Sequence, residues 1–222
     1  RRKKNITKVY ENFKMSFRVE EKCILKNIDK NKFKSTLFKI GGKILFPKRE
    51  IMSLYFDTKS TKMFFESEEG TTPRKKIRVR TYPNEKNKTF NLEKKINSAE
   101  GRYKISEKID AKKYIKILKH GIIDNEYGFC YPQIWVKYSR EYFSLKDQRI
   151  TLDTDIVYQS YKSKFQKKDL DKNIFEIKAN VNFDKNLFDN ILPFGRSRFS
   201  KYSEGLKAIE ESKNTDIIPF IN

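Results

Sequence analysis

From residue 16 onward the chain runs in short stretches where apolar and polar positions alternate, and residues that favour turns close most of them. Period-two alternation of this kind predicts strands. Eight runs qualify: Ser16 to Leu25, Ser53 to Asp57, Lys76 to Tyr82, Phe90 to Ile96, Arg102 to Ser106, Trp135 to Phe143, Arg149 to Asp153 and Phe175 to Lys178. Pro-Asn, Asn-Ser-Ala-Glu-Gly and Lys-Asp-Gln lie between neighbouring runs and suit hairpins, so the pairing should be largely antiparallel. Residues Lys162 to Lys172 read as a polar insertion between two strands.

Helical spacing interrupts the strands four times. Phe33, Leu37 and Ile40 fit a helix over Asp29 to Ile40 that stops at Gly41-Gly42. Asp110 caps a second helix carrying Tyr114, Ile117 and Leu118, and Asp184 caps a third carrying Leu187, Phe188 and Ile191. A fourth covers Tyr202 to Glu211. The glycine pair lacks the surroundings of a phosphate-cradling GxxxxGK[ST] loop and is assigned to the helix end.

Sorting each strand by parity separates its side chains onto two faces. Arg18, Glu20 and Lys22 oppose Phe17, Val19 and Cys23. Arg74, Lys76, Arg78, Arg80 and Tyr82 oppose Ile77 and Val79. Glu93 and Lys95 oppose Phe90, Leu92 and Ile96, and Arg102 and Lys104 oppose Tyr103 and Ile105. Arg149 opposes Ile150 and Leu152; Glu176 and Lys178 oppose Phe175 and Ile177. Tyr138 and Arg140 also share a face. One such face is an ordinary solvated surface. Six that are heavy in Arg, pair a carboxylate with a Lys two residues on and hold few neutral side chains predict a lumen. The expected architecture is α+β, mainly antiparallel β: a closed eight-stranded tunnel with a basic lumen and helices packed outside.

Charge sharpens that picture. Fifty Lys and Arg against 29 Asp and Glu leave a formal net charge of +21 over 222 residues. With 18 Phe and 12 Tyr the chain has the apolar content to fold, and an anionic partner is expected to offset the repulsion. Cys23 and Cys130 stand in no metal-binding spacing and read as reduced thiols. No apolar run approaches the roughly 18 residues of a membrane helix, so a soluble, cytoplasmic chain is expected, with a membrane-embedded partner or segment outside it left open. The expected divisions are a basic extension over 1–14, a tunnel domain over 15–211 and a tail over 212–222.

In chain order the sequence carries Arg18-x-Glu20-x-Lys22, Ser-Leu-Tyr-Phe-Asp-Thr at 53–58, Lys76-x-Arg78-x-Arg80-x-Tyr82, Glu93-x-Lys95 and Tyr138-x-Arg140. Arg149-Ile-Thr-Leu-Asp-Thr, Phe-Glu-Ile-Lys at 175–178 and Arg-Phe-Ser-Lys-Tyr at 198–202 follow. This set resembles the VTC (vacuolar transporter chaperone) domain, the polyphosphate polymerase branch of the triphosphate tunnel metalloenzymes, over roughly residues 15 to 210. The resemblance implies transfer of the ATP γ-phosphate to a growing polyphosphate chain, with Mn²⁺ or Mg²⁺ in the tunnel. It implies Lys22, Arg78, Arg80, Lys95, Arg140, Arg149 and Lys201 as catalytic phosphate ligands, and Glu176 as the metal ligand. Further substrate contacts are Arg198, Ser200 and Tyr138, with Arg18, Arg102, Lys104 and Lys178 beside them; the choice between Arg102 and Lys104 stays open.

The chemistry suits these residue types. A terminal phosphate is already an anion at pH 7 and needs no general base; it needs in-line positioning and charge offset by guanidinium groups and metal. Hydrolytic members of the superfamily carry an ExExK pattern on the first strand, where this chain has Arg18 in place of the first carboxylate. Its late strand reads Glu176-x-Lys178 rather than Glu-x-Glu, which favours transfer over hydrolysis. Asn97 stands where some polymerase members have a histidine, and Arg74 is the substitute for an early arginine missing between Phe64 and Gly70.

Other residues have plainer readings. His120 is a helix-end cation, Trp135 is packing, and Asp57 and Asp153 form turns or salt bridges. Glu93 is an ion-pair partner of lumen cations, and Glu20 either binds metal or orients Lys22 and Arg18. The competing functions are a non-catalytic polyphosphate or inositol-phosphate module and a tunnel-type triphosphatase. Nucleic acid is not expected as a partner, because no RRM, KH or zinc-finger signature accompanies the charge.

Overall fold

The structure is a computed structural model that describes residues 18–99, 101–146, 148–180 and 196–215. In chain order its elements are β1 (Arg18–Leu25), α1 (Asn27–Lys39), β2 (Lys43–Asp57), α2 (Lys62–Glu69), β3 (Arg74–Thr81), β4 (Phe90–Ser98) and β5 (Gly101–Ile109). They continue with α3 (Ala111–His120), β6 (Ile122–Asp124), β7 (Gly128–Leu145), β8 (Gln148–Ser160), β9 (Gln166–Lys168), β10 (Asn173–Asn180) and α4 (Lys201–Thr215). All eight expected strands are present, and β3–β4, β4–β5 and β7–β8 are antiparallel hairpins.

One sheet path runs β1-β10-β8-β7-β2-β3-β4-β5, with β6 added to β7 and β9 to β8. The expected closed barrel is corrected here, because no backbone ladder joins the two end strands, β5 and β1, among the described residues. The reason lies at the free edge of β1. Ser197 donates its N–H to the Lys22 carbonyl at 2.8 Å, and Cys23 bridges to Arg196, so the 196–197 segment takes hydrogen-bonding groups that β5 would need. Side chains span the seam instead: Glu20 of β1 lies 3.6 Å from Lys95 of β4 and 3.8 Å from Arg102 of β5.

Parity held in the apolar sets. Cys23, Leu25, Phe143, Leu145, Ile150, Leu152, Phe175 and Ile177 pack with Phe33 and Leu37 of α1. Leu54, Phe56, Ile77 and Val79 pack with Met63 of α2 and with Ile109, Ile117 and Ile122. As the glycines predict, α1 stops just before Gly41, which has φ 95°, and the Gly42 N–H donates to the Leu37 carbonyl at 2.8 Å. Asp110 accepts from the Lys113 N–H at 2.7 Å and caps α3.

The location of α4 departs from the expectation that helices cover the outside. Tyr202, Leu206 and Ile209 of α4 pack on Ile134, Val136 and Tyr138, which alternate along β7 onto the face that also carries Arg140. The inner face of β7 is apolar for half its length and polar for the rest, so the helix covers the first half and stops where the cations begin. Gly205 permits the approach: a Cβ there would lie 2.4 Å from Ile134 Cδ1.

Four smaller differences follow from short or weak signals. Helix α2 has only eight residues; β2 extends back to Lys43, β6 has three residues, and the polar insertion at 162–172 contains β9 paired with β8. The helix expected from Asp184 lies outside the described residues, and α4 continues to Thr215, past the expected end of the tunnel domain. Neither cysteine forms a disulfide, and both are buried. Among the described residues no helix is long and apolar enough to cross a membrane.

Candidate active site

The polar faces of β1, β3, β4, β5, β7, β8 and β10, with the start of α4, enclose a cavity of about 650 Å³. Its lining includes Lys22, Lys76, Arg78, Arg80, Lys95, Arg102, Lys104, Arg140, Arg149, Lys178 and Lys201, against the carboxylates Glu20, Glu93 and Glu176; Tyr55, Tyr138 and Ser200 complete much of the wall. All the sequence-derived site residues but two therefore meet in one space. Arg198 lines an adjoining cavity of about 490 Å³, where its guanidinium donates to the Ser67 carbonyl. Arg18 begins β1 opposite Asn180.

Each carboxylate holds a set of cations in place. Glu93 accepts from Arg78 at 2.7 Å and pairs with Lys104 at 2.5 Å and Arg80 at 3.7 Å. Burial pushes its carboxyl up, but Arg78, Arg80 and Lys104 outweigh that and hold it at about 2. Asp153 accepts from Arg140 through both oxygens, at 2.5 and 2.7 Å, and from Lys201 at 2.6 Å. Burial opposes its ionisation, and these two cations override it and lower its pKa. The readings of Glu93 and Asp153 as ion-pair partners hold. Asp57 accepts from the N–H groups of Met63 and Phe64 at 3.0 Å each, so it anchors the start of α2.

Tyr138 sits among the cations. Its hydroxyl accepts from Arg80 at 3.3 Å, and its ring lies 4.7 Å from Lys201 Nζ and 5.3 Å from Arg140 Cζ. Burial raises the phenol, but Arg140, Arg80 and Lys201 more than compensate and bring it below its ordinary value. Arg78 donates to the Tyr55 hydroxyl at 2.9 Å. Ser200 accepts from the Ser203 N–H at 3.3 Å and caps α4, which directs that helix's positive end at the cavity.

Register places like charges face to face. Lys76 is directly opposite Lys95, Lys95 is opposite Lys104, and Arg149 is opposite Lys178. Such pairs destabilise a sheet unless an anion lies between them. Lys76 opens the motif Lys76-x-Arg78-x-Arg80-x-Tyr82 but has no role among the residues the resemblance implies: parity puts it on the polar face, and nothing in the sequence distinguishes it from its neighbours.

The metal reading rests on oxygen donors. Glu176 is buried, pairs with Lys178 at 3.1 Å and lies opposite Lys22; burial raises its carboxyl, and Lys178, Lys22, Arg140 and Lys95 reverse this and take it well below its usual range. Glu20 is the other carboxylate on that side, and its Oε1 is buried without a hydrogen-bond partner. Among the described residues no three His, Cys, Asp or Glu side chains gather to hold a metal. Two carboxylates fit a hard divalent cation that takes its remaining ligands from phosphate oxygens and water.

Solved structures of similar shape span most of the chain. A candidate adenylyl cyclase of Hippeastrum, described as having a dominant triphosphatase activity, is 15% identical with a TM-score of 0.55; the match covers 86% of this chain and 96% of that one. A candidate adenylate cyclase of Vibrio parahaemolyticus is 16% identical with a TM-score of 0.53, over 86% of this chain and 98% of that one. The PH1819 protein of Pyrococcus horikoshii is 19% identical with a TM-score of 0.52, over 88% of this chain and 99% of that one. At these identities the likeness is one of fold. No curated protein matches the sequence. The family comparison is more direct: the VTC domain matches residues 3–210, a span that takes in the whole cation-lined cavity, and the chain belongs to the VTC domain family.

Proposed function

We propose that this chain is a metal-dependent polyphosphate polymerase that moves the γ-phosphoryl group of ATP onto the end of a polyphosphate chain. The observation that carries the reading is the set of basic residues paired across the strands, Lys76–Lys95–Lys104 and Arg149–Lys178, facing one cavity. A linear polyanion is the ligand that offsets such rows along their length. In the step itself an oxygen of the terminal phosphate forms a bond to the γ-phosphorus while the bridging P–O bond breaks, and ADP leaves with the electron pair.

The roles divide by anchoring. Arg78 and Arg80, steadied by Glu93, present forked donors to phosphate oxygens; Arg140, two strands along the sheet and steadied by Asp153, adds another, and Lys201 beside it adds a point charge. Lys22, Lys95, Arg149 and Lys178 supply further charge, and Tyr138 and Ser200 supply neutral contacts. Arg102 and Lys104 stand nearer the rim. Glu176, with Glu20 beside it, would hold Mn²⁺ or Mg²⁺, which when bound withdraws charge from phosphate oxygens. Arg198 would meet phosphates in the adjoining cavity, and Arg18 would act from the start of β1.

Hydrolysis is the second reading, favoured by the triphosphatase activity described for the Hippeastrum protein. Arg18 and Lys178, standing where hydrolytic members carry carboxylates, argue for transfer. Incubation with ATP and Mn²⁺ separates the two: polymer and ADP, both lost in Arg80→Ala and Glu176→Gln, support transfer, and orthophosphate alone supports hydrolysis. Tight polyphosphate binding with neither product would assign a binding module.

A further inference from the structure

Lys76 lines both cavities, together with Lys22, Lys95 and Ser200, and so stands where the two spaces meet. Its Nζ donates to Ser200 Oγ at 2.7 Å, and among the described residues no carboxylate lies within ion-pair distance of it. The charged groups that face it are cations: Lys22 from β1, Lys95 from β4, Arg74 on its own strand and Arg198 from the 196–200 segment. Glu20, the carboxylate lining the same spaces, is shared among Lys22, Lys95, Lys178 and Arg102 at 3.6 to 3.9 Å.

We propose that Lys76 is a further phosphate-binding residue of this site, placed at the neck between the two cavities, parked on Ser200 in the free protein and transferred to a phosphate oxygen when the neck is occupied. The inference rests on the polyanion reading above. A half-buried amine surrounded by cations has no anionic partner to stabilise its charge, and the loss of solvent together with Lys22, Lys95, Arg74 and Arg198 brings it down to about 7. It is therefore largely uncharged at pH 8, and an arriving phosphate supplies the missing anion. Binding then draws a proton from solvent onto the amine.

Titration calorimetry with tripolyphosphate at pH 8, in two buffers of different ionisation enthalpy and without added metal, reads both consequences. The wild type should take up about one more proton per bound chain than Lys76→Met. That variant should bind at least about ten-fold more weakly, the loss expected for one charge-assisted hydrogen bond. Lys76→Arg, charged throughout, should retain binding and lose the uptake. Equal affinity and equal uptake in wild type and Lys76→Met, both folded by their melting curves, would overturn the role of Lys76 while leaving the polyanion site standing. Failure of the wild type to bind tripolyphosphate would overturn both.

Discussion

The Tyr202 hydroxyl donates to the Asp57 carboxylate at 2.6 Å across 145 residues of sequence. That bond joins the motif at 53–58 to the motif at 198–202, and Tyr202 also stacks on Tyr55 with ring centroids 5.2 Å apart. The helix bearing Lys201 is thereby fixed to the strand that ends at Asp57. Tyr202→Phe keeps the ring and removes the donor from a buried carboxylate that retains its backbone partners. It should cost about 1 to 2 kcal/mol in urea denaturation, with the stacking contact unchanged.

Glu93 makes stability acid-sensitive. Its carboxyl is held at about 2 in the fold, against about 4.3 for an unperturbed glutamate. A depressed folded-state pKa contributes stability that is complete above the unfolded value and is lost as pH falls through the folded one. The urea midpoint of the wild type should therefore decline as pH drops from about 4.5 towards 2. Glu93→Gln should be less stable at pH 7 and decline less over that window. Parallel declines in the two proteins would contradict the assignment.

Arg140 and Arg149 line the same cavity but should respond differently to removal. Arg140→Ala strands the buried Asp153 with Lys201 alone and should cost about 3 to 5 kcal/mol. Arg149 is exposed and forms no ion pair among the described residues. Arg149→Ala should weaken polyphosphate binding with the melting temperature held or raised, since it also relieves the repulsion with Lys178. Thermal melts beside tripolyphosphate titrations read the difference.

The location of α4 is open to a direct test. A methyl group at Gly205 would lie 2.4 Å from Ile134 Cδ1 and 2.8 Å from Tyr158 Cδ1. Gly205→Ala should lose about 1 to 3 kcal/mol through overpacking, despite the higher helix propensity of alanine. A stabilised variant in a thermal melt would show that the helix does not press on the inner face of β7.

The lumen was legible because period-two alternation needs no knowledge of distant partners. Lys76-x-Arg78-x-Arg80 and Glu93-x-Lys95 declare their shared face locally, and the three lumen carboxylates came from the same parity. Closure was not legible, since it depends on whether β5 or the 196–197 segment takes the edge of β1, a competition between residues far apart in sequence. Nothing in the sequence sets Ile134 and Val136 apart from ordinary core residues, and only Tyr202, Leu206 and Ile209 packing on them reveals that this part of the inner face is covered by a helix. Lys76 was hidden for another reason: its distinction is the missing carboxylate, which emerges only when every neighbour is in place.

The most direct test of the phosphoryl-transfer account is a ³¹P NMR time course of the purified protein with ATP and Mg²⁺. Transfer predicts that the γ-phosphate resonance of ATP declines while ADP and the internal-phosphate resonance of a polymer grow together. Conversion of the γ-phosphate to orthophosphate with no internal-phosphate signal, or no consumption of ATP at all, would contradict it.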